Sequence, residues 1–424
     1  MVVRWQPAER ADERHMDRLK ILMVTGLFPS KRFPLTGTFC AERARALARY
    51  ADVRVVAPTP YFPRWMPGPE AWRQAAQVER YGETPGGIPV SYPRYLSVPK
   101  MATWSQGIAM ARSVWREFRR RHHDWVPDVI DGHFAFPDGY AAVRLARRLG
   151  CPSLVTCHGS DLRLYPSLPF TGLMLRWAMR QADRVLSVSK ELQEASVRLG
   201  CPEANAVFLP NGVDPSRFFI QDKTLCRRRL GLPTDGGIAI CLGHLTDLKN
   251  QSVLIRALAE IAKRGGMPPH LVLVGEGPNR DWLKREAEHL GVRDRVHLVG
   301  QKPHAEVPDW IGAADWLMLS STSEGWPTVY FEAMACGRPV LTSNVSSARD
   351  AVCRNDYGMV VEPNTPEAFA DALVRAQARP FDAGVIRAYA ECHSWDNWAQ
   401  AVIQIIEDVR RLRSGSDLGG DSVA

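Results

Sequence analysis

Ser323-Glu324-Gly325-Trp326-Pro327-Thr328-Val329-Tyr330-Phe331-Glu332-Ala333-Met334-Ala335-Cys336-Gly337-Arg338-Pro339-Val340 sets two carboxylates eight positions apart across the start of a helix. Pro327 suits a first helical turn, Gly337 suits a stop, and residues 339–342 read as a buried strand. Glu324 then lies in the loop before the helix and Glu332 inside it. Val329, Tyr330, Phe331, Ala333, Met334 and Ala335 flank Glu332, so the helix is mostly buried, and a carboxylate there is costly without a hydrogen-bonding partner. Glu332 also sits four residues after Thr328, on the face of the helix N-terminus, where free backbone N–H groups and the dipole favour a phosphate. One reading has phosphates held at that end while Glu332 accepts hydrogen bonds from hydroxyls beside them. The other is a capped core helix whose Glu is bonded to protein.

Outward from this segment, short apolar runs alternate with helical stretches twice over. The first series includes residues 19–25, 53–57, 128–131, 153–156, 184–188 and 206–209; the second runs through 237–242, 270–274, 295–299, 316–319, 339–342 and 359–361. Strand alternating with helix implies right-handed crossovers and parallel sheets. The fold class read from this pattern is α/β, with two doubly wound Rossmann-like domains. Pro210-Asn211-Gly212-Val213-Asp214-Pro215, dense in turn formers, reads as the hinge between them. The expected organisation is an N-terminal extension (1–16), a first domain (17–214), a second domain (215–390), a C-terminal helix (391–414) and a tail (415–424). Such folds bind ligands outside the carboxyl ends of their strands, so the expected site is a cleft between the domains.

Length and composition agree with this layout. At 424 residues the chain is too long for one ordinary core, and 45% hydrophobic with 24% charged residues is the balance of a soluble globular protein. No transmembrane span is apparent, and the charged first residues lack the apolar core of a signal peptide; Met16 is an alternative start. Nine cysteines without a C-x-x-C pair argue against a disulfide framework or a zinc site and for a reducing cytoplasm. The net charge of +8 is uneven: residues 1–210 carry 30 Lys and Arg against 19 Asp and Glu, a balance of +11, whereas residues 211–424 carry 24 against 27, a balance of −3. Arg112, Arg116, Arg119, Arg120 and Arg121 lie beside Trp115, Phe118 and Trp125. This basic, aromatic helix fits peripheral adsorption to an anionic inner membrane face, helped by aromatic loops at 61–66 and 95–104. A solvated helix face over core aromatics is the alternative. No nucleic-acid-binding module accompanies the charge.

Several loops that follow predicted strands carry chemistry. Phe28-Pro29 leads to Gly37, a glycine just before a helix that lets backbone approach a phosphate or sugar closely. Cys157-His158-Gly159-Ser160-Asp161 places an imidazole and a carboxylate at a strand end, or else simply caps it. In the second half, Gly243-His244-Leu245-Thr246-Asp247-Leu248-Lys249 offers a histidine and a lysine to a diphosphate. Gly275-Glu276-Gly277-Pro278 is not a dinucleotide fingerprint, because Arg280 stands at its third glycine position.

Taken in order, these motifs resemble the retaining glycosyltransferases of the two-domain type B fold, specifically family 4. The likeness runs from about residue 21 to residue 398. The family's Glu-x7-Glu element is matched in full by Glu324 and Glu332; Asn211-Gly212-Val213-Asp214 resembles the interdomain linker; Val299-Gly300 resembles the turn that meets the nucleotide base. Ser394-Trp395 before an amphipathic helix resembles the segment that returns to the first domain. The layout through Gly37 and His158-Gly159-Ser160-Asp161 is most similar to enzymes of bacterial envelope and capsular polysaccharide synthesis.

The resemblance implies transfer of a sugar from a nucleoside diphosphate sugar to a hydroxyl, with retention, and a lipid-linked saccharide is the acceptor expected. It implies that Glu332 binds ribose hydroxyls and Glu324 hydroxyls of the transferred sugar. Lys249 and the amides near Thr328 and Val329 would stabilise the departing diphosphate, Gly37 would give close access to it, and His158 would sit against the sugar. His133 and Asp161 are acceptor-side candidates. No cofactor and no metal are expected. One departure stands out: where the family has arginine in G-R-L-x-x-x-K, this chain has His244. A nucleotide-sugar isomerase or hydrolase of the same fold, or a noncatalytic nucleotide-sugar binding protein, is the alternative function.

Overall fold

A computed structural model of the chain describes residues 18–61, 74–75, 77–97 and 103–417. The chain divides into two compact units, Met1–Asn211 with Trp395–Ala424, and Gly212–Ser394.

In the first unit the strands are β1 (Leu19–Val24), β2 (Ala51–Val56), β3 (Thr59–Tyr61), β4 (Tyr81–Glu83), β5 (Pro89–Ser91), β6 (Arg94–Leu96), β7 (Val129–His133), β8 (Ser153–Cys157), β9 (Arg184–Ser187) and β10 (Ala206–Phe208). Eight of them form one sheet in the order β10-β9-β8-β7-β1-β2-β5-β4, while β3 pairs with β6. Neighbours in the large sheet are parallel except β4 against β5. Successive residues of β1 serve opposite faces, as the two-residue strand period requires. Ile21 and Met23 join a core with Val53, Val55 and Leu154, whereas Leu22 and Val24 join another with Met110, Val114 and Leu145. Burial on both faces is why β1 reads as a continuous apolar run.

The last helix, Trp395–Asp417, belongs to the first core through Trp398, Val402 and Ile406. Their four-residue spacing is one apolar helical stripe. The buried Arg43 guanidinium lies 4.7 Å over the Trp398 ring and donates to Asn211 Oδ1 at 3.0 and 2.7 Å.

The second unit holds β11 (Ile238–Leu242), β12 (His270–Val274), β13 (Val296–Gly300), β14 (Trp316–Leu319), β15 (Val340–Ser343) and β16 (Gly358–Val361). Their order is β13-β12-β11-β14-β15-β16, all parallel. Both sheets are therefore doubly wound, as the alternating pattern implied. Strand order reverses between β1 and β7 in the first unit and between β11 and β14 in the second, and those switch points are where loops diverge to leave a crevice.

Two expectations need correction. The stretch 59–96 contains four three-residue strands that hydrophobic pattern does not reveal, because short edge pieces interrupted by Pro and Gly bury too little to leave a period. Of the aromatics ascribed to a membrane-facing surface, Tyr95, Phe118 and Trp125 are buried, Trp115 is half-buried, and Tyr61 and Trp104 are exposed. Residues 62–66 and 98–102 of the two aromatic loops lie outside the described residues. Among the described residues, no helix is long and apolar enough to cross a membrane.

Candidate active site

The switch point of the second unit brings two loops together. Lys249 follows β11 and Glu324 follows β14, and the Lys249 ammonium donates to Glu324 Oε1 at 2.5 Å. Both side chains are largely shielded, at 21% and 11% exposure. The Ser321 hydroxyl donates to the same oxygen at 2.5 Å, and the Ser346 hydroxyl donates to the Glu324 backbone carbonyl at 2.8 Å. Glu324 is thus held by groups from three loops, the arrangement expected of a side chain whose orientation matters.

The helix after this loop is Val329–Ala335, and Pro327 stands just ahead of it rather than in its first turn. The amides of Tyr330, Phe331 and Glu332 are spent on the carbonyls of Pro327 and Thr328. Groups left to a ligand at this end are therefore those of Thr328 and Val329. Glu332 has the partner its burial demands: His304 Nε2 lies 3.6 Å from its Oε1. Arg217 Nη1 lies 2.8 Å from His304 Nδ1. A guanidinium can only donate, so Nδ1 accepts and the imidazole hydrogen is on Nε2, facing Glu332. Neither Arg217 nor His304 carries a sequence signal, since each meets Glu332 only through the fold.

Val299 and Gly300 end β13, beside the Arg280–Glu276 pair at 2.9 Å. His244 is exposed on the loop after β11, and its carbonyl accepts from the Gln251 side chain at 2.9 Å.

In the first unit, Gly37 precedes the helix Thr38–Leu47 with φ +66°. A Cβ there would stand 2.2 Å from the Leu27 carbonyl oxygen. Close approach within the protein thus already requires glycine, whatever else the loop meets. His133 ends β7 and His158 follows β8, with His133 Nδ1 3.2 Å from His158 Nε2 and His133 Nε2 3.1 Å from Asp131 Oδ2. With Asp131 accepting from Nε2–H, His133 Nδ1 is left to accept from His158 Nε2–H, so the His158 lone pair is on its Nδ1. Burial, then the Arg43 charge, pulls the His158 pKa well below its ordinary value. Asp131 escaped the sequence reading, although D-x-H on a strand places both side chains on one face.

Asp161 is fully buried, and its carboxylate accepts from the amides of Ala135 and Gly159 at 2.8 Å and of His158 at 3.2 Å. The geometry is that of a clamp on the His158 loop, the capping alternative, rather than of a group turned to a substrate.

Asp138 is a further acid at this switch point, accepting from the Gly26 amide. Burial pushes its pKa from 3.8 to about 7. The folded chain then holds a proton that the unfolded chain releases, so stability falls as pH climbs from about 4 to about 7. Asp138→Asn is expected to flatten that slope and to gain up to about 4 kcal/mol above it, at 1.36 kcal/mol per unit. Urea unfolding across pH checks this; an unchanged slope would refute it.

Among the described residues, no group of three or more His, Cys, Asp and Glu side chains converges as a metal-binding set would.

Comparison with known proteins accounts for both units. A family model described as Glycosyltransferase Family 4 matches residues 36–217, and one described as Glycosyl transferases group 1 matches residues 222–383. TuaC of Bacillus subtilis, a protein assigned as a glycosyltransferase of teichuronic acid biosynthesis, is 31% identical over 363 residues, 84% of this chain and 89% of its own. A GDP-mannose-dependent phosphatidylinositol monomannoside mannosyltransferase of Mycolicibacterium smegmatis is 32% identical over 390 residues, 89% of this chain and 94% of its own. Among solved structures, a sucrose-phosphate synthase of Thermosynechococcus elongatus superposes with a TM-score of 0.72 at 20% identity, covering 93% of this chain and 100% of that one. Anabaena HepE in complex with UDP gives 0.70 at 19% identity, covering 92% and 100%. With relatives above 30% identity spanning nearly their whole length, and a doubly wound sheet in each unit, the chain belongs to the family 4 glycosyltransferases of the GT-B fold.

Proposed function

We propose that the enzyme moves a sugar from a nucleoside diphosphate sugar to a hydroxyl of a lipid-linked saccharide, with retention, in the synthesis of an envelope polysaccharide. The observation that carries this reading is the Lys249–Glu324–Ser321 cluster at the switch point of the second unit. There a cation and a carboxylate held by neighbouring loops are suited to a diphosphate and to sugar hydroxyls respectively. Support comes from relatives named for teichuronic acid synthesis and for GDP-mannose transfer, and from HepE crystallised with UDP.

In this reading Glu324 holds hydroxyls of the transferred sugar and Glu332, oriented by His304, those of the ribose. Lys249 and the amides of Thr328 and Val329 stabilise the diphosphate as its charge grows, and Val299 and Gly300 meet the base. His158 accepts from a sugar hydroxyl through Nδ1, and Gly37 brings backbone close to the diphosphate. The leaving diphosphate takes the acceptor proton, so the reaction calls for no protein nucleophile and no metal. Peripheral contact with an anionic membrane through the basic first unit would bring the enzyme to its acceptor on the cytoplasmic side.

A panel of uridine and guanosine diphosphate sugars tests the donor. The right one should stabilise the protein by about 2.7 kcal/mol at a hundredfold excess over its Kd, hydrolyse slowly, and yield a product of retained anomeric configuration by NMR. No response to any nucleoside diphosphate sugar, or an inverted linkage, sinks the reading.

His244 makes a separate prediction. Arginine forks two donors onto neighbouring oxygens, whereas an imidazole offers one donor per ring nitrogen. His244→Arg should raise kcat and tighten binding of the free diphosphate several-fold. Unchanged kinetics and affinity in the variant would remove His244 from the diphosphate site.

A further inference from the structure

Three helices of the first unit, Thr103–Arg121, Tyr140–Leu149 and Thr171–Gln181, border an open groove of about 910 Å³. Arg112, Arg116, Arg144, Arg147 and Arg148 line it, and no acidic residue does. All five are exposed, and among the described residues none is ion-paired to a carboxylate. Their contacts are neutral instead: Arg144 donates to the Tyr140 hydroxyl at 2.8 Å, Arg147 donates to the Gln181 side chain, and Arg148 lies 4.4 Å over the Trp115 ring. Other exposed arginines do have acidic partners, among them Arg349 with Glu362 and Arg410 with Asp128. Five like charges gathered without counter-charge repel one another, and an anion binding among them would relieve that cost. Arginine's planar fork also matches phosphate oxygens.

The rim of the groove says which kind of anion. Leu173 lines it and is 66% exposed. Phe170, just ahead of the same helix, is 63% exposed, holds φ at +59°, and packs edge to face with the exposed Trp104, ring centroids 6.3 Å apart. Leu164 and Leu168 nearby in the chain are exposed as well. A strained, exposed phenylalanine within such an apolar rim is costly in water and gains nothing from a soluble polyanion. At a membrane interface the aromatic and aliphatic side chains enter the headgroup boundary while arginines reach phosphates.

We infer that this groove is the docking site for phosphate headgroups of an anionic membrane surface, with Phe170, Leu173 and Trp104 entering the interface beside them. It rests on the membrane contact included in the proposed function and identifies the residues that make it.

Co-sedimentation of the full chain with vesicles, without any sugar nucleotide, tests the site. Phosphatidylcholine vesicles containing phosphatidylglycerol should bind the protein in a salt-sensitive manner, and phosphatidylcholine alone should not. Arg112→Gln with Arg116→Gln should weaken binding about thirtyfold, from about a kcal/mol per charge near such a surface. Phe170→Ser should weaken it several-fold while leaving the salt dependence unchanged. Thermal unfolding of each variant establishes that it is folded. If the native chain ignores anionic vesicles, the membrane contact itself fails; if it binds but the folded variants bind equally well, only this site fails. Displacement by an acidic oligosaccharide such as oligogalacturonate, with Phe170→Ser binding like the native chain, would make the groove a soluble-polyanion site and overturn the inference.

Discussion

Glu324→Gln is expected to lower kcat about a thousandfold while changing the Kd for the nucleoside diphosphate much less. Glutamine keeps the shape of the side chain and an oxygen able to accept from Ser321 and Lys249, which both reach Oε1 at 2.5 Å. What it removes is the negative charge, and with it the strong hydrogen bonds to sugar hydroxyls that the proposed function assigns to Glu324, which would tighten as the glycosidic carbon becomes electron-poor. Loss of one well-placed electrostatic contact costs about 10²- to 10³-fold, and loss of the charge opposite Lys249 also disturbs the cation assigned to the diphosphate. In the proposed function nucleotide affinity depends instead on the Glu332 side of the helix, where His304 and Arg217 are untouched. Steady-state transfer kinetics and calorimetry with the free diphosphate separate the two effects. Near-normal turnover in the variant would remove Glu324 from the reaction.

Gly275→Ala should damage stability rather than chemistry. Gly275 follows β12 with φ at +151°, and a Cβ there would stand 2.0 Å from the Gly243 carbonyl oxygen and 2.9 Å from its carbon. Both obstacles are backbone, so no side chain can swing aside. Gly243 is itself tied down, its amide donating to the Val274 carbonyl at 3.0 Å. The added methyl must therefore push the β11 loop that carries His244 and Lys249. Strain of about 1–3 kcal/mol from the backbone conformation adds to the overlap, for a loss of at least about 3 kcal/mol. For a unit of this size that is a fall in Tm of roughly 6–12 °C. Calorimetry resolves it, and a Tm within a degree of the native protein would show that the loop yields freely. The same contact explains the Gly275-Glu276-Gly277 run without any nucleotide fingerprint: a glycine serves loop-to-loop packing here.

Much of the fold was legible because parallel strands buried on both faces leave apolar runs that no solvent-facing pattern interrupts. All twelve of the strands read from sequence appear within a residue or two of their predicted bounds. The short strands between Thr59 and Leu96 were not legible, since a three-residue edge piece buries too little to impose a period. Within the candidate site, Lys249, Glu324 and Glu332 stood out because motif spacing is a property of the chain. Arg217, His304 and Ser346 did not, because each acts from a different loop, and Ser321, in the same loop as Glu324, belongs to no motif of its own.

Sequence alone determined the two doubly wound units, the placement of Glu324 before a helix and Glu332 within it, and the excess of arginine in the first half. These follow from local spacing, hydrophobic period and composition, which need no knowledge of distant contacts. Tertiary structure decided which residues complete the site: Lys249 against Glu324 across 75 positions, Arg217 against His304 across 87, and the Asp131–His133–His158 chain. It also divided the basic helix into buried Phe118 and groove-lining Trp115, and set the arginines of residues 112–121 beside those of residues 144–148. The physical reason is the sheet topology. A parallel sheet delivers loops far apart in the chain to one edge, where a charge finds the partner that orients it.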